Sequence, residues 1–354
     1  MAEEQERTTP ENKILINDVE IPPELIADVL EIKVCHYTEG PDTFEIAVNM
    51  LNSHEPELKW VDHDYFTPGN KIDIQLGYLD RFESIFSGEI TALHPRYFSD
   101  EAPRMSVQGY DRLHRFRRGK RTRSFLQMKD SQIAEQVAGE VGLTPEVEDT
   151  EIVHNYVVQN NLSDIDFLLE RARRIRYEVL VEGQTLKFRK AANHLGYSVT
   201  LEYMRDLKYF YPRLSTLRQV SEVKVRGWNP ASKEAILGVA RAGDETTRME
   251  GSDTGSAIAE SAFGKTTASI VNIPVDSQAE AEQIAKAKFN DMNIELICGD
   301  GEAVGNTAIR AGTTIQIIGL GERFSGLYYI KSSEHVLGPQ AGYITKFNAV
   351  RNAS

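Results

Sequence analysis

The sequence predicts an α+β, mostly β protein in which two antiparallel β-domains flank a small α+β insert. Three observations lead there. Apolar and polar residues alternate at period two from residue 14 to about 112, and strands return from Gln219 onward, the pattern of half-buried strands. Between the two blocks, from Asp130, the apolar spacing lengthens to that of helices. Finally, one strand motif occurs in both blocks, as Gly69-Asn-Lys-Ile72-Asp-Ile74 and as Gly312-Thr-Thr-Ile315-Gln-Ile317.

In the first block the alternation runs through Phe44, Ile46, Val48 and Met50, then Ile72, Ile74 and Leu76, then Met105 and Val107. Gly40-Pro41, Pro68-Gly69 and Gly88 punctuate it, and Leu25 to Leu30 supports at most one helical turn. Asp130 is placed to cap a helix carrying Ile133, Ala134, Val137 and Val141, closed by Gly142 and Pro145. Ser163, with Asp166 three residues on, has the spacing of a capping box for a second helix with Ile165, Leu168, Leu169, Ala172 and Ile175 on its apolar face. Asp164 and Asp166 open that helix and Arg171, Arg173, Arg174 and Arg176 close it, each sign matching the helix dipole. A hairpin follows, with Tyr177, Val179 and Val181, a turn near Gly183-Gln184, then Leu186 and Phe188.

The last block places strands at Val223 and Val225, Ile294 and Leu296, Ile315 and Ile317, Tyr328 and Ile330, and Tyr343 to Val350. One helix interrupts them, capped by Ser277 and Glu280 and striped by Ala281, Ile284, Ala285, Phe289 and Met292. Ala240 to Thr267, rich in Gly, Ser, Thr and charge, reads as a mobile loop. The resulting division is a disordered acidic N-terminus over 1–13, a first β-domain over 14–119, the insert over 120–205, and a second β-domain over 206–354 containing the loop 240–267.

In both blocks the shared motif is followed by Phe-Ser-Gly, at Phe86-Ser87-Gly88 and Phe324-Ser325-Gly326. Two explanations stand. Strand-turn-strand units reuse a small alphabet, so the echo can be coincidence; or one β-domain is duplicated and split by the insert. In the second case three chains on a threefold axis present six similar β-domains.

Composition bounds the function. Of 354 residues, 40 are Lys or Arg and 53 Asp or Glu, a net charge of −13 that argues against general nucleic-acid binding. No apolar run approaches the length of a membrane helix, and the polar, acidic stretch from Met1 to Lys13 is not a secretory signal. Cys35 and Cys298, far apart, make neither a disulfide framework nor a zinc site and read as buried thiols in a reducing compartment.

Catalytic constellations are missing from the sequence. Gly264-Lys265-Thr266 ends like a phosphate loop, but Ala259 stands where the first Gly belongs and no strand precedes it. Gly299-Asp300-Gly301 and Gly319-Leu320-Gly321 lack the third glycine of a dinucleotide site and read as turns between strands. Asp62-His63-Asp64 is the one tight His/carboxylate cluster, and a loop before a strand explains it better than a metal. No nucleophile elbow or metal-spaced histidine pair occurs. The expectation is no enzyme, no cofactor and no metal.

One stretch departs from the acidic background. Arg112 to Arg123, RLHRFRRGKRTR, carries seven basic residues and no acid; with that +7 set aside, the rest of the chain is at −20. A nucleic-acid or localisation patch, a solvated face, and a subunit or partner contact are the readings open to it. The last is favoured, because a basic strip joining two domains can meet acids on a neighbour. Its candidate contact residues are Arg115, Arg117, Arg118, Lys120, Arg121 and Arg123.

Four stretches together resemble one family: Asp64-Tyr-Phe-Thr-Pro68-Gly69, Gln108-Gly-Tyr-Asp-Arg-Leu-His114, Asn160-Asn-Leu-Ser163-Asp-Ile-Asp166-Phe-Leu-Leu169, and Val225-Arg-Gly-Trp-Asn-Pro230. The chain is similar, from about residue 14 to 350, to the phage late control D proteins. These are baseplate hubs of contractile tails, related to the N-terminal hub of type VI secretion spike proteins and to hubs of contractile injection systems. The resemblance implies two tube-protein-like antiparallel β-barrel domains per chain and a homotrimer adapting the sixfold inner tube to a threefold spike. It implies as partners the chain itself, the inner tube protein, a separate trimeric spike protein (no β-helical repeat follows Val350), and tape-measure or other baseplate proteins. Nucleic acid and membrane insertion are not expected. It also implies assembly in the bacterial cytoplasm into a phage tail or tail-like particle. The Gly69 and Gly312 hairpins and the strand from Tyr343 to Val350 are candidates for the tube-facing ring. Alternatives are a module binding cargo or a tape-measure segment in the lumen, and a cell-wall-degrading hub enzyme.

Overall fold

The computed structural model describes residues 9–51, 57–78, 81–193, 195–229 and 232–354. Its first part is β-rich: β1 (Pro10–Ile16), β2 (Val19–Glu20), a short α1 (Pro23–Asp28), β3 (Val29–Tyr37), β4 (Thr43–Asn49), β5 (Lys71–Tyr78), β6 (Arg81–Arg96) and β7 (Arg104–Asp111). A 3-10 segment, Arg112–Arg117, leads into β8 (Arg121–Lys129), α2 (Asp130–Glu140), β9 (Thr144–Val147), β10 (Val153–Leu162), α3 (Asp164–Ile175), β11 (Tyr177–Glu182) and β12 (Thr185–Lys190). The chain then forms β13 (Thr200–Glu202), β14 (Leu207–Leu214), β15 (Glu222–Asn229), β16 (Glu234–Arg241), α4 (Gly255–Phe263), β17 (Thr267–Ile270) and α5 (Gln278–Asn293). It ends with β18 (Ile297–Val304), β19 (Thr314–Ile318), a short α6 (Gly321–Phe324), β20 (Gly326–Gly338) and β21 (Gly342–Arg351).

Thirteen described strands share one sheet, ordered β14-β18-β21-β20-β3-β4-β7-β6-β5-β1-β2, with β19 paired to β20 and β13 to β19. Within it, two groups of five strands have the same connectivity. In chain order β3, β4, β5, β6, β7 correspond to β14, β18, β19, β20, β21, and each group pairs first with second, second with fifth, fifth with fourth, and fourth with third, all antiparallel. Two pairs of irregularities coincide as well, although a slip between Ile74 and Gln75 on β5 has no counterpart in the β19–β20 pairing. Pairing slips between Val29 and Glu31 on β3 and between Leu207 and Tyr209 on β14; it slips between Ile90 and Ala92 on β6 and between Ile330 and Ser332 on β20. Bulges sit at defined places because each re-aims a strand, so four in matching positions mark the two lobes as copies of one design.

The shared Gly motif has the same backbone geometry in both lobes. Gly69 N–H donates to Ile90 O (2.8 Å) and Ile90 N–H to Asn70 O (2.9 Å); Gly312 N–H donates to Ile330 O (2.9 Å) and Ile330 N–H to Thr313 O (2.9 Å). Both glycines have positive φ, +98° and +78°, a region a side chain rarely tolerates. The Phe-Ser-Gly echo, by contrast, is out of register. Gly88 lies opposite Ile72, whereas the strand position opposite Ile315 is Tyr328, two residues past Gly326. Phe86 is a strand residue and Phe324 ends a helix. That half of the echo is coincidence.

Each part buries its own apolar cluster. Ile32, Ile46, Ile72 and Val107 belong to the first lobe; Leu207, Ile297, Ile315 and Ile330 to the second. The insert core contains Ile133, Leu168, Val179 and Phe188. A further cluster, Val223, Val225, Ile284 and Phe289, lies between α5 and the sheet β16-β15-β17, which is separate from the second lobe and not merged with it as the sequence pattern predicts. It is inserted between β14 and β18. Leu113 and Phe116, placed ahead of a boundary at 119, pack in the insert core.

Local signals account for the helices. Ser163 Oγ accepts from Asp166 N (3.2 Å) and Ser277 Oγ from Glu280 N (3.2 Å), each satisfying an otherwise orphaned donor. Asp130 is instead the first residue of α2; its buried carboxylate takes Arg171 and His154, a stronger draw than a cap. The terminal arginines of α3 likewise bind distant acids, Arg173 to Glu39, Arg174 to Glu280 and Arg176 to Asp291.

Other expectations are corrected. Residues 1–8 lie outside the described residues, but 10–13 are not disordered: they belong to β1, paired along β5 from Pro10–Tyr78 to Ile16–Ile72. The segment 240–267 is no continuous loop. Thr254 caps α4 and Met249 is buried against Tyr329 and Val350. The strand expected at Ile294 and Leu296 begins at Ile297, since α5 runs to Asn293. Gly299 and Gly301 are not turn residues but mid-strand positions in β18, where a Cβ would meet the rings of Phe210 (2.9 Å) and Phe347 (2.5 Å). Cys35 and Cys298 are free and only half-buried.

Candidate interaction surface

The basic strip starts where β7 ends. Asp111 caps the 3-10 segment through Leu113 N–H (2.9 Å), and burial of Leu113 and Phe116 fixes which cations turn outward. The structure divides the six candidates into two sets. Arg115 is spent within the chain, on the buried Glu89, which also accepts from His114 (2.9 Å). Burial alone would raise the Glu89 carboxyl; the Arg115 and His114 hydrogen bonds outweigh it and hold the group below the usual range. Arg121 and Arg123 are also spent. Both reach Glu140 on α2 and Asp164 on α3, and Arg123 bonds Gln159 (2.8 Å) and lies over Phe125 (5.0 Å to the ring centre).

Arg117, Arg118 and Lys120 are exposed, and none has an ion pair among the described residues. The free part of the strip is therefore three adjacent cations. The acids that neutralise the rest lie 17 to 43 residues away, and the sequence offers no signal for them.

From Asp111 a buried polar chain runs to the seam between the lobes. Asp42 N–H donates to Asp111 (3.0 Å), Asp42 bonds His36 Nδ1 (2.7 Å), and His36 packs edge-on against His335 at 5.4 Å. His335 is fully buried between Tyr343 (2.9 Å), Thr345 and the Ile309 carbonyl (3.0 Å). Burial, then the neighbouring His36 and Arg310, push its imidazole well below the usual range. Burial and the nearby Asp42 push the Asp111 carboxyl well above its own. Beside this chain, a cleft of about 330 Å³ opens between the first lobe, the β11–β12 hairpin and Arg310. The polar chain spans the seam; the cleft is lined by two hydrogen-bonded pairs, Ser84 with Asp73 (2.7 Å) and His36 with Asp42 (2.7 Å).

The other sites singled out in the sequence are structural. His63 caps a 3-10 turn and stacks on Tyr65 (4.3 Å), and among the described residues no three His, Cys, Asp or Glu side chains converge as metal ligands. Gly264-Lys265-Thr266 follows α4 instead of preceding a helix, so it offers no helix N-terminus to a phosphate, and Lys265 pairs with Glu222 (3.5 Å). Gly319 lies in a bend after β19, whereas Gly321, expected in the same turn, opens the short α6. Among the described residues no helix is long and apolar enough to cross a membrane.

The fold has clear relatives. The 43 kDa tail protein of prophage MuSo2 from Shewanella oneidensis superposes with a TM-score of 0.69 at 14% identity, covering 97% of this chain and 98% of that one. A tail protein from Neisseria meningitidis MC58 gives 0.68 at 12% identity, over 97% and 96%. The E. coli c3393 protein, a component of the type VI secretion system described as similar to the T4 tail proteins gp27 and gp5, gives 0.62 at 12% identity, over 97% and 77%. The fold is thus one that phage tail and secretion-spike proteins share. No curated protein matches by sequence. Among families, the one described as the Alg8 N-terminal domain matches residues 6–338, nearly the whole length, and the chain belongs to that family.

Proposed function

We propose that the chain is a structural, non-enzymatic hub of a contractile tail or contractile injection system, of the late control D type. Three copies form a ring that adapts a sixfold inner tube to a threefold spike. The observation that carries this reading is the internal repeat: two five-stranded lobes of identical order with coincident bulges. A chain holding two copies of one unit makes six equivalent faces from three subunits while leaving its other parts threefold. The tail-protein fold of the neighbours supports the same setting.

In this reading the two lobes are the tube-like domains, residues 120–205 are the intervening α+β domain, and the Gly69 and Gly312 hairpins face the tube. Partners are further copies of the chain, the tube protein and a spike protein, with assembly in the bacterial cytoplasm. Arg117, Arg118 and Lys120 are its subunit or partner contacts. Arg115, Arg121 and Arg123 support that strip from behind instead of touching the partner. Light scattering on the purified chain, alone and with its spike protein, tests this: a three-chain mass is expected, and a persistent monomer with spike present overturns it.

A further inference from the structure

The repeat contains one junction that is filled and one that is open. Past the reach of β19, which pairs Gly326 to Tyr329, β20 continues and its outer edge is taken by β3 of the other lobe, from Ser332–Tyr37 to Leu337–Ile32. The equivalent strand β6 likewise outruns its neighbour β5, which pairs no further than Glu89. From Ala92 to Arg96, β6 has β7 on one side and no described strand on the other. The equivalent of β3 is β14, which ends the sheet with only β18 beside it. The two halves of the missing junction thus exist on one molecule, at edges that do not meet each other.

We propose that the outer edge of β6, at residues 93–96, docks on β14, at residues 211–214, of a second copy of this chain, in the register of the filled junction. This rests on the ring reading above and specifies its interface. The coincident bulges set the correspondence, with Ser332 matching Ala92 and Ile32 matching Phe210. Carrying the Ser332–Tyr37 register over sets Leu93 opposite Leu214, His94 opposite Arg213, Pro95 opposite Pro212 and Arg96 opposite Tyr211. The contact joins unlike edges, so repeating it closes a ring instead of stopping at a dimer.

Two observations beyond topology favour it. Large side chains stand uncovered at both edges, Tyr97 at 60% exposure just past the end of β6 and Tyr211 at 70% on β14, whereas their counterparts at the filled junction, Leu337 and Lys33, are half-buried; Pro95 is exposed where its counterpart His335 is fully buried. The prolines also fall opposite each other. Thr38 N–H donates to Lys331 O (3.2 Å), which makes alternate pairs, including Val34–His335, the bonding ones. Pro95 and Pro212 take the places of His335 and Val34, so each turns its missing N–H toward open solvent in the single chain. Proline at such a place blocks casual strand addition. The docked ladder is therefore interrupted, with main-chain bonds at Leu93–Leu214 and side-chain contact, Arg96 on Tyr211, carrying the rest.

Disulfide trapping tests the register in the full chain. His94→Cys with Arg213→Cys is built in a Cys35→Ser, Cys298→Ser background, because Cys298 is the cross-strand neighbour of Arg213. A non-bonding antiparallel pair brings Cα atoms to about 4.5 Å, within disulfide range. Oxidation is expected to convert assembled protein to covalent trimer. Arg96→Cys with Arg213→Cys, two residues out of register, should cross-link roughly tenfold less, since diagonal neighbours stand about 7–8 Å apart. A three-chain mass with no 94–213 cross-link overturns this interface and leaves the ring reading standing. A chain that stays monomeric with its spike present overturns both.

Discussion

Replacing Arg123 with Ala separates the supporting cations from the free ones. In the structure Arg123 Nη2 lies 3.0 Å from Asp164, whose side chain is 5% exposed, and Nε lies 2.8 Å from Gln159 across the β8–β10 ladder. Stripping one partner from a fully buried ion pair costs about 3–5 kcal/mol. Arg123 itself is 21% exposed, Arg121 still reaches Asp164 at 3.5 Å, and Gln159 keeps its bond to it at 2.8 Å, so the pair is only partly orphaned. The lost bonds to Glu140, 29% exposed, add little, as for any solvent-facing pair. The net expectation is about 2 kcal/mol of lost local stability. Because a multi-part chain does not unfold in one step, amide hydrogen exchange is the suitable assay. Exchange of β8 and β10 amides should accelerate roughly 30-fold, while Arg117→Ala with Arg118→Ala leaves it unchanged within about 0.5 kcal/mol. Unchanged exchange in Arg123→Ala, or acceleration in the double variant, would refute the division of the strip.

Arg117→Glu with Arg118→Glu should weaken assembly with the spike or tube partner without altering hydrogen exchange; unchanged assembly, followed by light scattering, returns these residues to a solvated role. Gly301→Ala drives a methyl into the Phe347 ring and should cost about 1–3 kcal/mol in thermal or urea melts. Two buried groups give opposite pH dependences. Burial lifts the Glu178 carboxyl to about 7 against the pull of Arg189 and Arg176, so its contribution is complete below about 4.5 and is lost as pH rises through about 7, on the order of 3 kcal/mol. Glu178→Gln should flatten urea midpoints across that window. The depressed imidazole of His335 contributes stability above about 6.5 that is lost as pH falls, and His335→Asn should remove that acid sensitivity.

What could be read from the sequence was local. Ser163 with Asp166 and Ser277 with Glu280 announced their helices because the capping partners lie three residues apart. The Gly69 and Gly312 motifs announced the repeat because a positive φ next to alternating isoleucines needs a glycine at that point. What was misread depended on distant partners. From the sequence Gly299 and Gly301 read as turn residues because the aromatic rings that exclude a Cβ come from β14 and β21. The strip looked uniformly available because Glu89, Glu140 and Asp164 are brought to it by β6, α2 and α3. The first residues of β1, 10–13, are not legible as strand because their pairing partner, β5, begins more than fifty residues later. The equivalence of the lobes, and with it the open junction, needed the registers themselves: the bulges coincide where the side chains do not.

The most direct test is cryo-electron microscopy of the assembled chain viewed along its axis. Three chains should appear as six similar five-stranded lobes alternating around a threefold ring, with β6 of one copy beside β14 of the next. A ring of any other number of chains, or a trimer whose two lobes lie at different radii, would contradict the account.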